Sequence, residues 1–199
     1  MMLPESLRMR MIRNKPIERD GRTMSPAMQI ILYILEKRRI TTDIENIGVK
    51  KIRDFYDTTA VLLQKRPPRI KTVDHVVDLG DDQITIREYI PNDFKANDHS
   101  MLFFHGGGFS IGSIKTHDPV CKFLSKMLGW KIFSVEYRLA PEHRFPTPLE
   151  DCDQAMDWLI ENADEFEIDV NKIAIGGDSA GGNLAACLCS KRMEEGKIE

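Results

Sequence analysis

The spacing of hydrophobic positions changes along the chain and divides it into regions. Through residues 25–64 apolar side chains recur at helical intervals: Met28, Ile31, Leu32 and Leu35, then Ile44, Ile47, Ile52, Phe55, Tyr56 and Leu62 or Leu63. Ser25-Pro26 opens the first predicted helix, with a capping hydroxyl followed by a proline already set for the first turn. Pro67-Pro68 ends the second, expected over residues 43–64. From residue 73 the period drops to two. Val73, His75, Val77 and Leu79 alternate with Asp74 and Asp78, Gly80-Asp81-Asp82 form a turn, and Ile84, Ile86, Glu88 and Ile90 alternate with Thr85, Arg87 and Tyr89. This predicts an antiparallel hairpin with one face in water.

Beyond residue 100 the apolar residues come in short continuous runs. Met101–Phe104, Ile132–Tyr137 and Ile173–Ile175 predict strands buried on both faces. Amphipathic stretches separate and follow them. One has Asp118 as N-cap, Pro119 in its first turn, Val120, Leu124, Met127 and Leu128 inside, and Gly129 at its end. The next opens on a capping box, Thr147 to Glu150, and carries Ala155, Trp158 and Leu159. The last runs from Ser179 to Met193. Alternating strands and helices predict an α/β fold with a mostly parallel sheet. The expected organisation is a loose basic leader over 1–24, interrupted by Pro4 and Pro16, a helical segment over 25–70 and an α/β core over 71–199.

Length and composition narrow the classes. A chain of 199 residues with 42% hydrophobic and 30% charged residues suits one folded domain and excludes a disordered or fibrous protein. A formal net charge of −3 excludes nucleic acid as a main partner, because phosphate binding needs a strong positive field. The first forty residues nevertheless hold nine Lys or Arg against four Asp or Glu. The apolar run Ile30–Leu35 is far short of the ~18 residues of a membrane span. Followed by Glu36-Lys37-Arg38-Arg39, it has two readings: a helix packed on its own protein, which is favoured, or a weak membrane-surface contact. No apolar signal-peptide region follows the basic start. Cys121, Cys152, Cys187 and Cys189 form no CxxC pair and no zinc spacing, and are expected to be reduced, buried small hydrophobes in a cytoplasmic protein.

Two glycine motifs carry the candidate chemistry. Gly177-Asp178-Ser179-Ala180-Gly181 matches G-x-S-x-G between a predicted strand and a predicted helix. There a serine occupies a strained turn, flanking glycines avoid collision with neighbouring backbone, and the helix N-terminus supplies donors. His105-Gly106-Gly107-Gly108-Phe109 follows the strand 101–104. Its unshielded peptide N–H groups can hold the oxyanion of an acyl-transfer intermediate. Alone it also fits a flexible turn. A phosphate cradle fits less well, because Gly106-x-Gly108-x-x-x-Gly112 misses G-x-G-x-x-G by one residue and no Walker lysine follows.

Taken with Tyr137-Arg138-Leu139-Ala140-Pro141-Glu142-His143, Phe145-Pro146 and Leu149-Glu150-Asp151, in this order and spacing, the two motifs resemble the hormone-sensitive-lipase-like branch of the α/β-hydrolases, the carboxylesterase and arylacetamide deacetylase type. The resemblance covers residues 25–199 and implies an α/β-hydrolase core with N-terminal cap helices. It implies Ser179 as nucleophile and Gly107, Gly108 and Ala180 as oxyanion hole. Gly177, Gly181, Gly106, His105 and Asp178 are implied as structural support, and Arg138 and Glu142 as a supporting pair. The implied reaction is hydrolysis of a small-molecule carboxylic ester, with no metal and no organic cofactor.

The chain departs from that family after the nucleophile. A serine hydroxyl needs a base, and the base an orienting carboxylate, which in α/β-hydrolases follow in the order Ser, Asp or Glu, His. The twenty residues after Ser179 contain no His and no Asp, and His75, His99, His105, His117 and His143 all precede it. The expectation is therefore the N-terminal portion of a longer esterase, without the C-terminal strands and poorly active alone. Alternatives are one piece of a two-chain enzyme, or an inactive ligand-binding or scaffold relative. The strand at 173–175 is expected to present a free sheet edge, a surface for self-association.

Overall fold

The computed structural model describes residues 17–37, 48–63 and 66–197. Contacts divide the chain into two units, Met1–Arg66 and Pro67–Glu199. In the first, β1 (Glu18–Arg19) and β2 (Arg22–Thr23) pair antiparallel, so part of the expected loose leader is a tight hairpin. Asp20 and Gly21 make its turn, both at positive φ (51° and 71°). Helix α1 (Pro26–Lys37) starts where Ser25-Pro26 predicts, and the Met28 N–H donates to Ser25 Oγ at 3.4 Å. Helix α2 spans Val49–Leu63. The expected start at 43, with Ile44 and Ile47, lies outside the described residues. No described helix is long and apolar enough to cross a membrane.

The second unit is built on a mixed five-stranded sheet. Its strands are β3 (Lys71–Asp78), β4 (Gln83–Ile90), β5 (Asp98–Phe104), β6 (Lys131–Glu136) and β7 (Ile168–Gly177), in the order β3-β4-β6-β5-β7. The hairpin β3–β4 and the pair β4–β6 are antiparallel, while β6–β5 and β5–β7 are parallel. Strand β7 is longer than the apolar core 173–175 suggests, because its polar start also pairs, Ile168 opposite Asp98. Among the described residues it forms one end of the sheet.

Three helices cover the sheet: α3 (Ile114–Leu128), α4 (Thr147–Glu161) and α5 (Ala180–Glu194). Leu102, Phe104, Phe133 and Val135 pack with Ala155, Met156 and Leu159 of α4 and Leu184 and Leu188 of α5. On the opposite face Phe103 and Ile132 pack with Cys121 of α3 and with Tyr89. Strands β5 and β6 are thus buried on both faces, as their continuous apolar runs predict. Full burial of a side chain of this size contributes about 1.5–3 kcal/mol.

Several expectations need correction. The hairpin has a wet face only on β3, where Val76 is 66% exposed. Tyr89, expected in water, is fully buried because α3 crosses that face of β4 and β6. Glu88 is buried too and is paired with Lys131 at 2.9 Å and His75 at 3.1 Å. Helix α3 is capped by Ser113, not Asp118. Ser113 is extended (φ −169°) and accepts from the Thr116 N–H, while Glu136 at the end of β6 accepts from the Ile114 N–H at 2.6 Å. Asp118 lies within the helix and pairs with Lys122 at 2.8 Å. Gly129 ends α3 as predicted, at φ 71° with its N–H on the Ser125 carbonyl. Helix α4 has no side-chain cap: Pro146 holds the cap position, and prolines leave fewer N–H groups to satisfy. Among the free cysteines, Cys121 and Cys152 are buried, and burial pushes the Cys121 thiol up to about 12. Cys187 is exposed and Cys189 partly exposed, against the expectation that all four are buried.

Candidate active site

Strands β5 and β7 are parallel neighbours with Phe104 opposite Gly177, so both glycine motifs leave the sheet at the same end. The turn after β7 puts Ser179 at φ 50°, ψ −115°, a left-handed conformation that a non-glycine residue adopts only when its surroundings enforce it. The surroundings are tight. A Cβ on Gly177 would overlap the Phe104 carbonyl oxygen and the Gly181 backbone, and one on Gly181 would overlap the Phe104 carbonyl. Helix α5 starts at once: the Gly181 N–H donates to the Asp178 carbonyl at 2.8 Å and the Asn183 N–H to that of Ser179 at 3.0 Å. Ala180 is its first residue, and a first-turn N–H has no acceptor within its helix.

The loop after β5 is fastened to this elbow. The Gly106 N–H donates to Asp178 Oδ1 at 2.9 Å. Gly107 and Gly108 follow at φ 133° and 59°, and a Cβ on Gly107 would overlap the Ile111 carbonyl. The Gly107 carbonyl accepts from the N–H groups of Ser110 and Ile111, closing the loop on itself. Phe109, also at positive φ (60°), accepts at its carbonyl from the Ala140 N–H at 2.8 Å.

His105 is fully buried. Its Nδ1 lies 2.9 Å from the Gly106 carbonyl, which can only accept, so this nitrogen carries the proton. Its ring stacks on Tyr137 with centroids 4.3 Å apart, and the Tyr137 hydroxyl donates to the His105 carbonyl at 2.6 Å. Burial lowers its pKa to about 4, so the ring is neutral and fixed, a poor general base. His75 lies on β3 against Trp158 and Phe166, and His99 stacks on Trp130 near the start of β5, away from the loop. His143 follows β6, its N–H on the Leu139 carbonyl. His117, on α3, brings Nε2 to 3.2 Å from Asp178 Oδ1.

Arg138 meets Asp151 of α4. Asp151 is fully buried and takes the Arg138 backbone N–H at 2.8 Å and its guanidinium at 2.6 Å; Asp82 takes the remaining arm. This hydrogen bonding holds the arginine's pKa above its ordinary value. Beside the glycine loop is a cavity of about 300 Å³, lined by Gly108, Phe109, Phe145, Leu149, Asn183 and Leu184 among others. Its walls are largely apolar, so it suits a hydrocarbon or aryl group better than a charge. Among the described residues no three His, Cys, Asp or Glu side chains cluster to hold a metal ion.

Sequence reasoning missed His117, Tyr137 and Asp151 as supports of this site. Only Asp151 had a local signal, a carboxylate near the start of the helix that follows the arginine's loop. The other two act through partners that the fold alone brings close.

Residues 101–199 match the family model of the alpha/beta hydrolase fold. An arylesterase of Saccharolobus solfataricus is 36% identical over 163 residues, covering 82% of this chain and 53% of that protein. The carboxylic ester hydrolase LipN of Mycobacterium tuberculosis is 32% identical over 185 residues, covering 90% of this chain and 48% of LipN. A solved esterase structure from Pyrobaculum calidifontis superposes with a TM-score of 0.73 at 37% identity, over 77% of this chain and 50% of that one. The chain thus spans about half the length of the relatives it matches.

Proposed function

Since the chain belongs to the α/β-hydrolases, in their hormone-sensitive-lipase-like branch, we propose that it is the nucleophile-bearing part of a carboxylic ester hydrolase. In this reading Ser179 Oγ attacks the ester carbonyl, and the N–H groups of Gly107, Gly108 and Ala180 receive the oxyanion of the tetrahedral intermediate. The alcohol leaves as the acyl-enzyme forms, and water then releases the acid. Gly106, Asp178, Gly177 and Gly181 hold loop and elbow together, and His105 braces the loop without exchanging protons. The apolar cavity beside Gly108 takes the hydrocarbon part of a small-molecule ester. The observation that carries the reading is the register of Phe104 with Gly177, which supports donors and nucleophile at one carbonyl. Four free cysteines support a reducing, cytoplasmic setting.

The base and its orienting carboxylate come from outside these 199 residues, from further chain or from a partner. The support is the placement of the histidines: His105 is sealed and neutral, and His75 and His99 lie against other parts of the sheet. The same placement favours a second reading, a relative that binds ligands in this pocket without turning them over. A fluorophosphonate probe separates the two. A preorganised oxyanion hole keeps some reactivity without the triad, so we expect slow, stoichiometric labelling of Ser179, mapped by mass spectrometry and absent in Ser179→Ala. No label after prolonged incubation favours the binding reading.

A further inference from the structure

We propose that His117 is a positioning residue for the oxyanion loop, acting through Asp178. The inference rests on the oxyanion role given above to Gly107 and Gly108. The Asp178 side chain contacts both the loop and α3, through Gly106 and His117. Its carboxylate is 54% exposed, so hydration competes for it and an exposed carboxylate alone samples several rotamers. His117 is different: its side chain is 8% exposed, and its ring is fixed from the far side. Nδ1 lies 2.9 Å from Thr116 Oγ1 and 3.3 Å from the Ser113 carbonyl, the residues that cap α3. Packing beside Phe103 and His105, with centroids 6.4 Å and 5.5 Å away, holds the ring in place. The only edge left is Nε2, which stands at ion-pair distance from Asp178 Oδ1.

The contacts form a line from the helix cap to the oxyanion donors: Ser113, His117, Asp178, Gly106. The last link is close enough that a Cβ on Gly106 would overlap Asp178 Oδ2. A carboxylate that changes rotamer therefore moves the Gly106 peptide, and Gly107 and Gly108 turn with it. Through His117, α3 sets the distance between loop and elbow, although it contributes no group to the reacting atoms.

Glycine-selective ¹⁵N NMR on the 199-residue chain tests this without relying on catalysis. His117→Phe keeps a ring of similar size and drops the polar edge, and His117→Gln keeps a donor near the Nε2 position. Amide hydrogen exchange at Gly106 should accelerate about tenfold or more in His117→Phe and stay within about threefold of the parent in His117→Gln. Exchange at Gly129, at the far end of α3, should be unchanged in both. Fluorophosphonate labelling of Ser179 should slow in His117→Phe and be rescued in His117→Gln. Unchanged Gly106 exchange in His117→Phe overturns the proposal. So does equal acceleration at Gly106 and Gly129 in both variants, which marks a packing role. Should Gly106 follow His117 while Ser179 never labels in any variant, the positioning role stands and the esterase reading falls.

Discussion

His105 enters the interior as a neutral ring, and charging it there is costly. Its pKa falls from the ordinary 6.5 to about 4, first through burial. Between those values the unfolded chain takes up a proton that the folded chain refuses. The contribution to stability is thus complete above pH 6.5 and is lost as pH falls towards 4. At pH 4.5 the loss amounts to about 2–3 kcal/mol. Urea unfolding at pH 7 and pH 4.5 checks it: His105→Asn, which can still donate to the Gly106 carbonyl, should lose less stability between the two pH values than the parent. Parallel behaviour of parent and variant would show that the ring titrates as if exposed. Ser179 is the second residue held against its own preference, and its positive φ persists because Gly177 and Gly181 let β5 and α5 close around it.

At the level of elements, the elbow is a contact between backbones. Gly181→Ala puts a methyl into the Phe104 carbonyl, so α5 must shift from β5. We expect a loss of at least about 2 kcal/mol and of Ser179 labelling. Gly176→Ala, one residue before the motif, meets only the flexible end of Met101 at 3.7 Å and should be tolerated. Denaturant midpoints for the two variants measure the contrast. This close approach was legible in the spacing of the glycines, because only a missing side chain permits it. The Ser25-Pro26 start of α1 and the Gly129 stop of α3 were legible because each depends on neighbours in sequence, and the doubly buried strands β5 and β6 because their apolar runs are continuous. Cap and burial assignments failed where a distant element decides. Ser113 and Asp118 are both good caps locally, and Glu136 on β6, reaching the Ile114 N–H, favours the first. Tyr89 alternates as a wet residue until α3 covers it. His117 left no mark at all, since a polar residue on an amphipathic helix is unremarkable until its neighbours are known.

For the whole molecule, catalysis and fold separate. Losing the triad serine or histidine alone costs about as much as losing all three members, roughly 10⁶ in kcat, because the members act as a unit. If the base lies outside these residues, removing the serine costs little more. The chain purified alone should therefore hydrolyse p-nitrophenyl esters near background, equally in Ser179→Ala. Robust turnover abolished by Ser179→Ala would place a base inside the chain, with His143 the first to test. The Gly106–Asp178 bond also has a kinetic meaning. It joins residues 72 apart in sequence, with α3, β6 and α4 between them. Closing so long a loop is slow compared with forming a helix or a hairpin. A newly made chain can therefore have its helices and its β3–β4 hairpin before it has a site, and the serine gains its donors only when β7 joins β5. Chemical competence is in this sense a clock for the most distant pairing in the sheet, and an ester in the surroundings meets an inert chain until that pairing is complete.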